Sequence, residues 1–179
     1  MAGSVSTLGL GANLGSPPAM LSLALRQLRS WSACSHWQVS SLYRGPYFGP
    51  GPAQPDYWNA VVRFECSLAA EDVLRHALAL QAELDPTPRR RNEPRRLDLD
   101  LLLHGDRCSQ IAELTLPHPR LRSRRFVLQP LHELAPRLSL PDDGCTIAEL
   151  LSSPQVQAQR LEVMVSGEWW NGRALQCAT

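Results

Sequence analysis

The apolar positions of this chain change period several times, and the changes divide it into strands and helices. Ser6-Thr7-Leu8-Gly9-Leu10 is a short apolar run that reads as a buried strand, and Gly11-Ala12-Asn13-Leu14-Gly15-Ser16 follows as a turn. Apolar residues then recur at helical spacing through Met20, Leu21, Leu23, Ala24, Leu28 and Trp31, which predicts a helix over about 17–32. Ser16 is placed to cap it, with Pro17 and Pro18 in the first turn, where a missing N–H costs nothing. Trp37 to Tyr43 alternates as a strand and Tyr57 to Cys66 forms the next, so the two pair antiparallel across the Pro/Gly loop 44–56. A loop of that length inside a domain is a functional candidate, the more so because it carries Tyr47 and Phe48. Ser67 then caps a second helix, with Glu71 and Asp72 in its first turn, running to about Leu84.

Beyond an arginine-rich loop, Asp98 to Leu103 reads as a strand. Alternate residues of a strand share a face, so Asp98 and Asp100 project together while Leu97, Leu99 and Leu101 fill the other side. His104-Gly105-Asp106 turns the chain, Ile111 to Leu116 is a short strand, and a short helix passes through His132-Glu133-Leu134 before Pro136. After the turn Asp142-Asp143-Gly144, Thr146 to about Leu151 makes a last helix. The order β-α-β-β-α-β predicts an α+β fold, a ferredoxin-like sandwich whose mainly antiparallel sheet carries helices packed on it. Residues 1–160 are expected to form one domain, with 161–179 a weakly patterned C-terminal tail.

Composition narrows the function classes. With 44% hydrophobic residues and a formal net charge of +1, the chain reads as soluble and globular, not as a general binder of nucleic acid. No apolar run approaches the roughly 20 residues of a membrane span, and Met1-Ala2-Gly3-Ser4 lacks the layout of a secretory signal, so the expected address is cytoplasmic. Five cysteines stand singly, without a Cys-x-x-Cys pair, which argues against a zinc site or a disulfide scaffold. There is no lysine, so all 18 basic residues are arginine. That excludes a phosphate-binding Gly-x-x-x-x-Gly-Lys loop, a protein-kinase lysine and a Schiff-base lysine.

The candidate chemistry centres on residues 89–103. Arg89, Arg90, Arg91, Arg95 and Arg96 lead directly into Leu97-Asp98-Leu99-Asp100-Leu101. Paired carboxylates on an apolar strand repel each other and must be neutralised. Two readings are open: Mg²⁺ held by both, with phosphate and water completing its shell, or structural pairing with Arg95 and Arg96. Guanidinium groups suit a polyphosphate through bidentate contacts. A second arginine cluster, Arg120 to Arg125, lies beside His118. The Gly11–Gly15 turn before the first helix is open to either a phosphate-binding or a purely structural role.

The motifs Gly11-x-Asn13-Leu14-Gly15, Ser41-x-Tyr43-Arg44-x-Pro46, Pro55-x-Tyr57-x-Asn59, Arg95-x-Leu97-Asp98-x-Asp100 and Leu116-Pro117-His118-Pro119-Arg120, with Arg124-x-Phe126-Val127-Leu128-x-Pro130-Leu131, together resemble the 6-hydroxymethyl-7,8-dihydropterin pyrophosphokinase family of folate biosynthesis. The resemblance spans about residues 6 to 150. It implies transfer of pyrophosphate from ATP to the pterin hydroxymethyl oxygen with release of AMP, two Mg²⁺ ions and ATP as co-substrate. By the same resemblance Asp98 and Asp100 are the metal carboxylates, and Arg95, Asp98, Asp100 and His118 form the catalytic set. Arg91, Arg95, Leu101, Thr115, His118 and Arg124 would bind ATP. Tyr57 and Phe126 would sandwich the pterin, Asn59 would read its edge, and backbone at Gly45, Pro46 and Phe48 would complete its pocket. The implied partners are these small molecules, with no nucleic acid and no membrane, for a monomer or weak homo-oligomer.

Three departures from the family pattern stand out. The loop before Arg95 is shorter by a few residues, Asn92 stands where the family has a tryptophan, and Gly45 replaces a common threonine. They keep a second reading in play, a catalytically impaired pterin- or nucleotide-binding relative with a shortened loop. A metal-dependent nuclease or nucleotidyltransferase would need more acidic ligands and a broad basic surface, and neither is evident.

Overall fold

In the computed structural model of the chain, residues 3–88 and 92–167 are described. Strand β1 (Ser4–Ala12) leads to helix α1 (Pro17–Arg29), strands β2 (Cys34–Val39) and β3 (Leu42–Gly45) follow, and β4 (Tyr57–Cys66) returns beside them. Helix α2 (Ala70–Leu84) crosses to β5 (Asp98–His104), and a small hairpin of β6 (Ser109–Ile111) and β7 (Leu114–Leu116) follows. Helices α3 (Arg125–Leu134), α4 (Ile147–Ser152) and α5 (Pro154–Gln157) precede a last strand, β8 (Glu162–Val165). The main sheet runs β5-β1-β4-β3-β8 with β2 also on β4, every pairing antiparallel. This is the ferredoxin-like arrangement expected from the element order.

Strand alternation builds a core on each side of the sheet. Leu8, Leu10, Phe64, Leu99 and Leu101 face α1 and α2, whose Leu21, Leu25, Leu28, Val73 and Ala77 close over them. Val61, Leu102 and Leu103 face the opposite way, onto Val127, Leu128 and Leu131 of α3, Ile147 of α4 and Val156 of α5. Each such leucine contributes about 2 kcal/mol by burial. Exposed ion pairs such as Arg75–Asp72 contribute under about 1 kcal/mol, so the two apolar layers hold the frame.

Several elements differ from the expectation. β1 extends to Ala12, which puts Gly11 inside the strand, paired with Asn59, and not in a turn. α1 stops at Arg29, and Ser16 occupies its N-cap position without a side-chain capping bond. α2 is likewise entered from Ala69; the Ser67 hydroxyl donates to the Ala33 carbonyl instead. The expected strand 37–43 is two strands because Ser40 and Ser41 divert the ladder. Ser40 Oγ accepts the Val61 N–H at 2.9 Å, and the Ser41 N–H and hydroxyl both donate to Glu133 of α3. Thr146 caps α4 through a reciprocal capping box with Glu149.

Within the segment expected as a tail, Glu162–Val165 pairs with β3 as β8. The same segment accounts for glycine at position 45. A Cβ there would lie 2.8 Å from the Arg160 carbonyl oxygen, so the approach of this backbone excludes any side chain. The segment 168–179, including Trp169 and Trp170, lies outside the described residues. Among those described, no helix is long and apolar enough to cross a membrane.

Candidate active site

A cleft of about 370 Å³ opens on the α3 side of the sheet where β1, β4 and β5 run together, within the size range of small-molecule sites. β5 supplies the acidic centre. Asp98 and Asp100 both line the cleft, while Leu99 and Leu101 are buried in the opposite core. Across β1 the register sets Gly11 opposite Asp98 and Gly9 opposite Asp100. Two glycines beside two carboxylates leave the floor without side chains; a Cβ on Gly11 would come within 3.3 Å of Asn59 Oδ1.

Cations surround the pair. Arg95 Nη1 donates to Asp98 Oδ1 at 2.7 Å. Arg124 Nη1 stands 3.6 Å from Asp100 Oδ2, and its guanidinium lies 5.3 Å from the centre of the Phe126 ring. Arg120 lines the same cleft. Even so, burial first and Asp100 second push the Asp98 carboxyl above its ordinary value, despite the opposing pull of Arg95. The arginines therefore leave Asp98 incompletely neutralised, which is the state a divalent cation would relieve. Among the described residues no trio of His, Cys, Asp or Glu gathers to hold a metal. Two carboxylates with phosphate oxygens and water completing the shell are what Mg²⁺ takes, so the donor set fits that ion.

His118 stands at the edge of this group. It follows the turn after β7, with its N–H donating to the Leu102 carbonyl of β5 at 2.9 Å. Burial, with Arg124 and Arg120 adding like charge, lowers it from 6.5 to about 4, so it is neutral near pH 7. Its Nδ1 accepts the Arg120 backbone N–H at 3.2 Å, which leaves the proton on Nε2, 3.9 Å from Asp100 Oδ2. The imidazole is thus held as a neutral donor pointing to the carboxylate end of the cleft.

The other wall is aromatic and amide. Tyr57, Asn59 and Phe126 all line the cleft, with Pro46, Tyr47 and Phe48 from the long loop. Tyr47 lies against Tyr57, ring centres 6.0 Å apart, and is pinned by its hydroxyl donating to the Pro50 carbonyl. Asn59 is 6% exposed and projects from β4 beside Gly11.

One buried amide joins the loops around this cleft. Asn13 Oδ1 accepts the Arg95 N–H at 2.8 Å, and the Asn13 N–H donates to the Arg95 carbonyl at 2.9 Å. Its Nδ2 donates to Gln54 Oε1 and the Pro55 carbonyl, each at 3.2 Å. Gln54 in turn donates to the Asn92 carbonyl at 2.6 Å. The Gly11–Gly15 segment, the Pro/Gly loop and the arginine loop are therefore tied at a single side chain, which is a structural role. From α2, Gln81 Oε1 accepts the Leu99 N–H and Asp85 Oδ2 the Arg96 N–H, fixing the entry to β5.

Of the residues expected to form the site, Arg95, Asp98, Asp100, Arg124, Pro46, Phe48, Tyr57, Asn59 and Phe126 line this one cleft, with His118 next to Asp100. Gly45 is buried one residue behind Pro46 and does not line it. Leu101 points into the opposite core. Thr115 sits in the β6–β7 hairpin, its hydroxyl donating to the Ile111 carbonyl. Arg91 lies outside the described residues. Of the remaining lining, Gly9, Gln81 and Asp85 had no expected role and Arg120 none beyond its place in the second arginine cluster and the Leu116–Arg120 motif; Gly9 was legible in its two-residue spacing from Gly11.

Comparison with known proteins gives consistent matches. The family model described as 7,8-dihydro-6-hydroxymethylpterin-pyrophosphokinase matches residues 7–136. A Synechocystis 2-amino-4-hydroxy-6-hydroxymethyldihydropteridine pyrophosphokinase is 38% identical over 146 residues, 82% of this chain and 74% of that protein. A Pseudomonas aeruginosa protein of the same name is 36% identical over 146 residues, 82% of this chain and 89% of its own. Among solved structures, an HPPK-DHPS in complex with substrates superposes with a TM-score of 0.61 at 8% identity, covering 84% of this chain but only 43% of that longer one. That last likeness concerns the fold.

Proposed function

Since the chain belongs to the 7,8-dihydro-6-hydroxymethylpterin-pyrophosphokinase family, we propose that its cleft transfers the pyrophosphoryl group of ATP to the hydroxymethyl oxygen of 6-hydroxymethyl-7,8-dihydropterin, releasing AMP, in folate biosynthesis. The observation that carries this reading is the meeting of two carboxylates, three arginines and an aromatic-amide wall in one cleft. No nucleophilic side chain is needed: the oxygen of one substrate displaces AMP from the other, so catalysis is positioning and charge neutralisation.

Each residue then has a task. Tyr57 and Phe126 hold the flat pterin by its faces and Asn59 reads its edge, while Pro46 and Phe48 close the wall from the loop. Arg95, Arg120 and Arg124 bind the phosphates, and the neutral His118 donates Nε2–H to a phosphate oxygen on the side of the leaving nucleotide. Asp98 and Asp100 would hold Mg²⁺, two ions by the family pattern, which when bound neutralises phosphate charge and orients the reacting oxygens. By the family pattern Arg91 would add a phosphate contact, and Leu101 and Thr115 would belong to the ATP side. The enzyme would work in the cytoplasm on these two small molecules, as a monomer or weak homo-oligomer.

The impaired-relative reading gains nothing from the structure. The residues that would be free to drift in a silent site stand together, and Asn92, where the family has a tryptophan by the resemblance, is tied to Gln54 and through it to Asn13.

Product analysis tests the proposal. The protein is incubated with ATP, Mg²⁺ and the reduced hydroxymethylpterin, and nucleotides are separated. Pterin-dependent AMP is expected, lowered on the order of a thousandfold in Asp98→Ala. Pterin binding without AMP would sink the catalytic claim.

A further inference from the structure

At the end of the sheet away from the cleft, Cys34 of β2 faces Cys66 of β4 in direct register. The hydrogen bonds identify which kind of cross-strand pair this is. The Ser67 N–H donates to the Ala33 carbonyl at 3.1 Å, one residue outward on each strand, and the Cys34 N–H goes to Trp31, not to Cys66. Cys34 and Cys66 are therefore a non-hydrogen-bonded antiparallel pair. In such pairs the Cα atoms come to about 4.5 Å and the side chains are at their closest. That is inside the roughly 4.4–6.8 Å over which a disulfide closes without moving the backbone.

Both thiols are free. Burial first and the neighbouring Cys66 second push the Cys34 thiol up to about 12. The ladder is interrupted just beyond, between Ser35 and Gln38, where His36 takes a φ of 53°. The Cys34 end of β2 is thus held to β4 by a short patch that a covalent link would reinforce.

We propose that Cys34 and Cys66 are a reversible dithiol–disulfide site, oxidised by low-molecular-weight disulfides such as oxidised glutathione. Cys34, the more exposed of the two, attacks as thiolate, forming a mixed disulfide and expelling one glutathione thiolate. Cys66 then attacks the Cys34 sulfur, closing the protein disulfide and expelling the second. Two electrons pass from protein to reagent, and the two thiol protons end on two molecules of reduced glutathione. The raised thiol makes the first step slow near pH 7 and faster toward about pH 9.

The site is remote from the chemistry. Asn59 lies seven residues along β4, roughly 23 Å from Cys66 at strand rise. Oxidation should therefore stiffen the sheet without changing AMP formation beyond about twofold, and raise the melting temperature by about 5–10 °C.

The test is peptide mapping of the full chain under non-reducing conditions, after the folded protein is treated with oxidised glutathione at about pH 9. A Cys34–Cys66 linked peptide, a mass lower by two hydrogens and return to starting mass with dithiothreitol are expected. Cys34→Ser and Cys66→Ser should each abolish the link, whereas a chain with Cys108, Cys145 and Cys177 all changed to Ser should keep it. Glutathione retained on Cys34, linkage to another cysteine, or a link formed only in denatured protein would each overturn the assignment.

Discussion

At the scale of single residues, Asp98 and His118 titrate in opposite senses and can be separated by it. The Asp98 carboxyl binds its proton more tightly in the folded chain than at its ordinary 3.8. Stability from this group therefore declines as pH rises from 3.8 through the raised value. His118 binds its proton less tightly when folded, at about 4 against 6.5, so its contribution is full above 6.5 and lost as pH falls through about 4. In protein free of metal and nucleotide, Asp98→Asn should flatten the decline and retain the melting temperature; supplied with ATP, Mg²⁺ and the pterin, it should lose AMP formation as Asp98→Ala does. His118→Gln should remove the opposing rise. Thermal melts between about pH 4 and 7 resolve both, and the His118 ring signal in NMR should stay neutral until well below the ordinary imidazole range. A His118 midpoint near 6.5 would refute the buried, arginine-flanked environment.

At the scale of elements, the loops around the cleft depend on one amide. Asn13→Ala removes the acceptor of the Arg95 N–H and the donor to Gln54 and Pro55, leaving buried groups unpaired. A loss of about 1–3 kcal/mol is expected, visible as a lowered urea midpoint, with the pterin and ATP KM values rising together because both loops share the tie. A rise in only one would show that the loops are held independently. This arrangement could not be read from the chain, since the partners of Asn13 lie 41, 42 and 82 residues away. The face of β5 could be read, because Leu-Asp-Leu-Asp-Leu is its own periodicity and needs no partner to be interpreted. The break at Ser40-Ser41 was hidden for the same reason as Asn13: it depends on Glu133, beyond the reach of local pattern. β8 was missed because it is four residues long, with Val163 61% exposed, and so shows neither length nor alternation.

At the scale of the whole molecule, the strand added after residue 160 completes the sheet edge. It covers β3, and from just beyond it the Gly167 N–H donates to Ser41 Oγ at 3.2 Å. A chain ending at Arg160 should melt several degrees lower and self-associate through the exposed β3 edge, as read by light scattering. An unchanged melt would return 162–167 to the status of a tail. Another feature of the sheet governs how the chain tolerates changes of length. Between Thr7 and Leu8 the β1–β5 register slips by one residue, so that Leu102 and Leu103 both face α3 while the strand keeps its alternation on either side. The bulge absorbs that extra residue, so the aspartate half and the His104 half of β5 each keep the facing set by their own partners on β1. In a scan of single-residue deletions, loss of Leu102 should leave a regular β1–β5 ladder with both halves facing as before and cost only its buried side chain. Loss of Leu99 should turn one half of β5 over and cost both core and carboxylate pair, and loss of Gly51 from the exposed loop should pass almost unnoticed. The frame of this site is kept by an irregularity in the ladder that takes up one residue more than β1 can pair.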